Sequence, residues 1–245
     1  MYVNLKKKYG QNFLIDKNIL NKIKNLICDE EKNILEVGPG DGRLTDIILQ
    51  NNLSNLTIVE IDEDLIRDLK IKYNNKEIVK IINTDILKYD FEKYYDLVIS
   101  NLPYNISSQI LVKISTLKKP PKKMIFMFQK EFAQRLLDKR INAINSLVKC
   151  FYTIKFKFNV GRNCFRPIPR VESSVLTFEK KNKPLINHNE INNFIIFKRG
   201  LFSYKRKSLK NLLKNYDLEN HFDLNLRVNE LELMTLIDIY RKINS

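Results

Sequence analysis

Asn101, Leu102, Pro103 and Tyr104 are the four consecutive residues of this chain best suited to bond-making. The Asn101 side-chain oxygen and the Leu102 carbonyl are neighbouring acceptors. Pro103 fixes its own φ and removes a competing N–H. Tyr104 adds a flat ring on which a planar group can stack, worth about 1–3 kcal/mol where single-stranded bases do so. Two adjacent acceptors suit a weakly nucleophilic aryl amine, because they hold its hydrogens while its lone pair meets an electrophile. If the electrophile carries a good leaving group, alignment supplies most of the acceleration and no strong general base is required. Taken alone, Asn-x-Pro is also an ordinary strand-to-helix turn.

A second group sits upstream. Gly38-Pro39-Gly40-Asp41-Gly42 follows the β-rich run Asn33 to Val37 and opens a helical segment. Such a turn can bind a dinucleotide, bind S-adenosylmethionine, or only change the direction of the chain. Glu60 ends the next strand-like run about 20 residues on, where a carboxylate can take two ribose hydroxyls. Asp85 follows the third run, where a carboxylate can accept from an adenine amine. Arg43 occupies the place of the third glycine of a dinucleotide fingerprint, which argues against NAD.

These groups need elements to position them. Helical spacing marks Asn18 to Ile27, Leu44 to Gln50, Glu63 to Tyr73, Ser107 to Leu117 and Lys130 to Leu137. Strand patterns mark Asn33 to Val37, Leu56 to Ile61, Ile78 to Asn83, Asp96 to Ser100 and Met124 to Phe128. The alternation predicts an α/β fold, a parallel sheet with helices on both faces, whose ligands sit beyond the carboxyl ends of the strands. The glycine turn, Glu60, Asp85 and Asn101 all fall at or just after such ends. Phe151 to Val160 and Val171 to Phe178 read as further strands, separated by a proline-stiffened loop at Phe165-Arg166-Pro167-Ile168-Pro169. A polar stretch from Glu179 to Asn189 reads as a linker, and only helical periodicity follows. The expected division is a catalytic domain over 1–182 and a small all-helical domain over 183–245.

The chain has 245 residues and a formal net charge of +15. That excess fits a polyanionic partner, since Lys and Arg neutralise phosphates and release counterions. A composition shaped by AT-rich coding, heavy in Ile, Lys and Asn, would also raise it. No run reaches the roughly 18–20 apolar residues of a membrane helix, and Met1 to Lys8 does not read as a signal peptide. Cys28, Cys150 and Cys164 lie far apart and form no C-x-x-C pair, so neither a disulfide framework nor a zinc site is expected. No metal is implied, and His188 and His221 lie outside the motifs. A cytoplasmic, monomeric protein is expected.

Four segments appear together and in order: Gly10-Gln11-Asn12-Phe13-Leu14, Glu36 through Thr45, Asn101 through Ser107, and Phe165 through Ser173. In these the chain resembles the KsgA-type ribosomal RNA adenine dimethyltransferases from about Lys8 to Arg227. The resemblance implies a Rossmann-like class I S-adenosylmethionine-dependent methyltransferase sheet and a helical C-terminal domain. It implies a cofactor site of Gln11, Asn12, Leu14, Gly38, Gly40, Gly42, Glu60, Ile61, Asp85, Ile86 and Asn101. It places the target base among Asn101, Leu102, Pro103 and Tyr104, with Phe165 closing from the other face. The implied reaction puts two methyl groups on each of two adjacent adenines near the 3′ end of small-subunit (16S) rRNA, each base leaving its stack to react. The small ribosomal subunit is the implied partner, and its biogenesis the implied process. Lys205, Arg206, Lys207 and Lys210 resemble the family's basic segment. Read from their own spacing, they form a phosphate-binding face on a short helix. Two departures stand out: Asn142-Ala143-Ile144-Asn145-Ser146 replaces a Tyr-Gly-x-Leu-Ser-like stretch, and Arg227-Val228-Asn229 replaces Arg-Ala-Glu.

Three alternatives compete. An Erm-like methylase of large-subunit (23S) rRNA would share the cofactor motifs. A non-catalytic ribosome assembly factor or mitochondrial transcription factor could keep the fold. Only nine residues precede Gly10, so no organelle-targeting extension is expected. An NAD-dependent dehydrogenase is the third, since the glycine turn and Glu60 fit NAD as well as S-adenosylmethionine.

Overall fold

In chain order the elements are β1 (Phe13–Leu14), α1 (Lys17–Lys24), β2 (Asn33–Val37), α2 (Arg43–Ile48), β3 (Asn55–Glu60), α3 (Glu63–Lys72), β4 (Val79–Asn83), β5 (Leu97–Asn101), α4 (Ser107–Ser115), β6 (Lys123–Gln129), α5 (Lys130–Leu137), α6 (Asn145–Phe151), β7 (Tyr152–Val160), β8 (Phe165–Arg166), β9 (Ser173–Lys180), α7 (Ile191–Ser203), α8 (Leu209–Leu212) and α9 (Leu233–Asn244). They come from a computed structural model that describes residues 11–218 and 221–244. Gly10, which opens the N-terminal motif, and the Met1 to Lys8 segment lie outside the described residues.

Seven strands form one sheet in the order β4-β3-β2-β5-β6-β9-β7. The pairs β2–β3, β3–β4, β2–β5 and β5–β6 are parallel, and β9 runs antiparallel to β6. From β2 the chain winds outward to β3 and β4, then returns to lay β5 on the other side of β2. That reversal opens a crevice beyond the carboxyl ends of β2 and β5. The central strands are buried along both faces: Ile34 to Val37 in β2, Leu97 to Ser100 in β5 and Met124 to Phe128 in β6. A strand reads as a continuous apolar run only when helices cover both sides of its sheet. The expected α/β sheet is therefore present.

Two compact units divide the described chain. One holds the residues up to Ala133 together with Ile154–Lys180. The other holds Gln134–Thr153 and the residues from Lys181 on. The second unit thus takes in 134–153 as well as the helical C-terminal stretch. Its packing centres on Phe194, Phe197 and Tyr240, whose ring centroids lie 5.1–6.4 Å apart.

Several local readings change. Phe151 ends helix α6 rather than opening a strand, and β9 begins at Ser173, which leaves Val171 in the preceding loop. Phe165 and Arg166 are not loop residues. They form β8, paired antiparallel with β1 in the register Phe13↔Arg166 and Leu14↔Phe165.

Candidate active site

The crevice holds a cavity of about 270 Å³. Of the expected residues, Gln11, Asn12, Leu14, Gly38, Gly40, Glu60, Ile61, Asp85, Ile86, Asn101, Leu102, Pro103 and Tyr104 line it. Gly42 and Phe165 do not.

The glycine turn explains itself residue by residue. Gly40 sits at φ +61°, where side chains other than glycine are strained, and a Cβ there would fall 2.7 Å from the Phe13 ring. Phe13 therefore lies directly against the turn and joins the cavity wall. Gly42, at φ +80°, caps α2 from outside the cavity. Its Cα faces α3, and an added Cβ would meet the Tyr73 hydroxyl at 2.5 Å. That hydroxyl is shared between the Gly42 carbonyl and Asp46 Oδ1, each 2.8 Å away. Gly42 packs toward α3, while Gly38 and Gly40 of the same turn line the cavity.

Four carboxyls reach the cavity: Glu36, Asp41, Glu60 and Asp85. Glu60 closes β3, and its Oε1 accepts the N–H of Ile61 at 2.8 Å and of Asp62 at 2.9 Å, with the Gly40 N–H 3.4 Å from Oε2. Burial raises its pKa and these N–H donors oppose the rise. Ile61 is 42% exposed beside it, an apolar residue left bare at the cavity. Asp85 follows β4, and its Oδ1 accepts the Leu87 N–H at 2.9 Å.

Glu36, which heads the second family-like segment without a role of its own assigned from the sequence, is the most buried of the four. It is 1% exposed and lines the cavity from β2. Thr45 Oγ1 donates to its Oε2 at 2.6 Å, while its Oε1 is buried with no partner. Burial pushes its pKa up to about 8, against the Thr45 hydrogen bond, with Asp46 and Glu60 adding to the rise. The sequence signal was its place immediately before Val37-Gly38, at the strand end nearest the turn.

Glu36 carries a pH dependence. A carboxyl whose folded pKa lies above its ordinary value of 4.5 binds a proton in the folded state that the unfolded chain has lost. Stability is then fully present below about 4.5 and is lost as pH rises through about 8. Glu36→Gln is expected to flatten that decline in thermal melts of the protein without ligands. Glu60 and Asp41, raised in the same direction by burial, preserve part of it. An unchanged slope in the variant would show that Glu36 is not the group responsible.

The acceptor side is held by two long-range bonds. Asn101 ends β5, and its Nδ2 donates to the Asn12 carbonyl at 2.8 Å. This fixes the amide and leaves Oδ1 as the acceptor of a cavity-lining side chain. The Tyr104 and Ser173 hydroxyls lie 2.7 Å apart, which ties the ring to the first residue of β9. Burial raises the Tyr104 pKa, partly offset by Ser173, so the phenol stays neutral.

Phe165 is fully buried, packed in the core with Leu14, Ile19, Ile23 and Val175. The ring is therefore packed inside the core here and does not face the cavity. Its pairing with Leu14 instead seats β1, and so sets the Asn12 carbonyl that holds Asn101. Lys205, Arg206 and Lys207 stand in the second unit, in a turn before α8 rather than on a helix; Lys210 is on α8. Among the described residues, no cluster of His, Cys, Asp or Glu could hold a metal, and no helix is long and apolar enough to cross a membrane.

A family model for ribosomal RNA adenine dimethylase matches residues 2–242. The ribosomal RNA small subunit methyltransferase A of Mycoplasma mobile is 41% identical over 223 residues, covering 88% of this chain and 86% of its own length. The Hydrogenobaculum protein of the same name is 36% identical over 244 residues, covering 98% and 93%. In solved structures, a dimethyladenosine transferase from Plasmodium falciparum matches with a TM-score of 0.82 at 25% identity, over 95% of this chain and 97% of that one. The 23S rRNA methyltransferase ErmE shares the fold, with a TM-score of 0.75 at 19% identity over 95% and 100%.

Proposed function

The chain belongs to the ribosomal RNA adenine dimethylase family, and we infer that its cavity joins S-adenosylmethionine to an unstacked adenine of small-subunit rRNA. It is an S-adenosylmethionine-dependent rRNA adenine methyltransferase. The finer reading is dimethylation of two adjacent adenines near the 3′ end of 16S rRNA, by a monomeric cytoplasmic protein acting in small-subunit biogenesis. The relatives named for the small subunit support that substrate over large-subunit RNA.

The cavity's donors and acceptors fit the cofactor. A buried, unpartnered oxygen on Glu36 calls for a cationic or hydrogen-bonding group. The ammonium of the methionine part supplies one. Glu60 can take the ribose hydroxyls, Asp85 the adenine amine, and Ile61 with Ile86 can pack against the adenine faces. When bound, the cofactor supplies an electrophilic methyl group on a sulfonium that leaves readily.

The rest falls to this chain's own residues. Asn101 Oδ1 and the Leu102 carbonyl accept the two hydrogens of the target amine and hold its lone pair in line. Tyr104 gives the base a stacking face, and extrusion from the helix is made affordable by that contact. No residue need take the proton before transfer, since it can pass to water afterwards. The observation that carries this reading is the Asn101 amide, pinned through its nitrogen so that its oxygen remains the acceptor.

The ring and the hydroxyl of Tyr104 can be told apart. Tyr104→Phe is expected to stay within about 10-fold of the unaltered rate, and Tyr104→Ala to fall by about 10- to 100-fold. Equal damage in both would move the role from the ring to the hydroxyl. The decisive experiment maps methylated adenines by mass after incubating protein and cofactor with small subunits and, separately, with large-subunit RNA. Dimethylated adjacent adenines in the small subunit are expected. Labelling confined to large-subunit RNA would favour the Erm-type reading.

A further inference from the structure

Between Ile191 and Tyr216 the chain holds seven Lys or Arg residues and no Asp or Glu. One of the seven, Lys198, is structural: it is buried, and its ammonium donates to the Ala143 carbonyl. The other six are exposed. Three of them are consecutive, Lys205 to Lys207, in a turn closed by the Lys207 N–H donating to the Tyr204 carbonyl at 2.9 Å. The turn is anchored just beyond its end. Ser208 bridges to Arg227, and the N–H groups of Leu209 and Lys210 donate to the Leu226 and Leu224 carbonyls at 2.8 and 2.7 Å. The cations are thus displayed from a fixed backbone.

Tyr204 opens this turn and is 55% exposed, although Leu201 and Phe202 just before it are buried. Lys207 Nζ stands 5.0 Å from the centroid of its ring. That contact orients the ring and still leaves it open to solvent. An oriented, exposed ring among cations, with no carboxylate nearby in the chain, suits an unpaired nucleobase: phosphates meet the cations and the base stacks on the ring. A lipid surface would meet the same cations but offers nothing planar to the ring.

We propose that Tyr204, beside the basic segment already read as phosphate-binding, stacks on an unpaired base of the RNA substrate other than the base that reacts. This rests on the rRNA reading above and extends it to a residue that does not line the cavity. Tyr204 is a positioning residue that acts through RNA docking.

The test uses the whole protein and a labelled single strand of roughly 10 uridines, which lacks the adenine that the catalytic cavity would take. Inorganic polyphosphate of similar length is the charge-only partner. Tyr204→Ala is expected to weaken uridine-strand binding about 5- to 30-fold, to leave polyphosphate binding unchanged, and to keep the salt dependence of the unaltered protein. Tyr204→Trp should restore binding. Lys205→Ala should weaken both ligands and reduce the salt slope by about one phosphate contact. A Tyr204→Ala variant that binds the uridine strand normally, or loses both ligands equally, overturns the proposal, as does Tyr204-dependent binding to anionic vesicles with none to RNA. If the unaltered protein methylates small-subunit RNA in the same preparation, such a failure falls on Tyr204 alone. If it neither binds nor methylates RNA, the rRNA reading fails as well.

Discussion

Asn101→Ala is expected to slow methyl transfer by about 10²- to 10³-fold, the size of effect seen when one positioned hydrogen-bonding group is removed from a reacting centre. Three consequences of the geometry combine in that loss. The acceptor for an amine hydrogen disappears. The Asn12 carbonyl loses the Nδ2 donor at 2.8 Å and must find another. Leu102 and Pro103, next in the chain, lose a neighbour that fixed their approach. Cofactor affinity should change far less, by under about 10-fold, because Glu36, Glu60 and Asp85 remain. Asn101→Asp separates the parts: it keeps an acceptor but sets a carboxylate oxygen against the Asn12 carbonyl. It should therefore also be slow, by disorienting the group rather than deleting it. Single-turnover rates on small-subunit RNA, with calorimetric titration of S-adenosylhomocysteine, measure both quantities. A variant that transferred methyl groups at the unaltered rate would remove Asn101 from the mechanism.

The second large effect is on stability. Gly42→Ala is expected to cost about 2–4 kcal/mol, because a side chain at φ +80° is strained and its Cβ would lie 2.5 Å from the Tyr73 hydroxyl and 3.1 Å from Leu69 and Lys72. Relief requires moving α3 away from the turn or breaking the Tyr73 bond to the Gly42 carbonyl. Gly38→Ala makes the control. It has φ +65° and nothing within 4 Å of the added carbon, so only strain of about 1–2 kcal/mol remains. In melts without cofactor the Gly42 variant should unfold well below the Gly38 variant. The reverse order would mean that the turn does not pack on α3 as described.

The parts of this molecule legible in its sequence were those set by periodic patterns and by special residues. Short β-rich runs marked β2, β5 and β6, and the glycines and Pro103 punctuated the ends of β2 and β5, so the crevice and most of its wall could be placed. What escaped depended on partners remote in sequence. The two-residue strands β1 and β8 carry no pattern of their own and exist only because they pair with each other. Phe165 sits in a motif that looks like surface chemistry, and only its burial in the core cluster that also holds Leu14, Ile19 and Val175 shows it to be core. Helix α6 was hidden because a buried Asn145 heads it. Its Nδ2 donates to the carbonyls of Arg135 and Arg140 at 3.1 and 3.0 Å, a knot that no hydrophobic period announces. Glu36 was missed because a carboxylate inside a strand reads as an interruption until its unpartnered oxygen is seen at a cavity wall.

The latches on the acceptor groups also set an order on the making of the enzyme. Every residue of the cavity wall lies between Gln11 and Ile110. Yet Asn12 is seated by β1, which pairs with Phe165 and Arg166, and Tyr104 is tied to Ser173. As the chain leaves the ribosome that makes it, the wall emerges first, and its fastenings follow several seconds later at roughly 5–20 residues per second. A half-made chain therefore holds the chemical groups of the site without the bonds that aim them. The nascent protein reaches this geometry only after the sheet has received β9, when most of the chain is already clear of the ribosome that makes it.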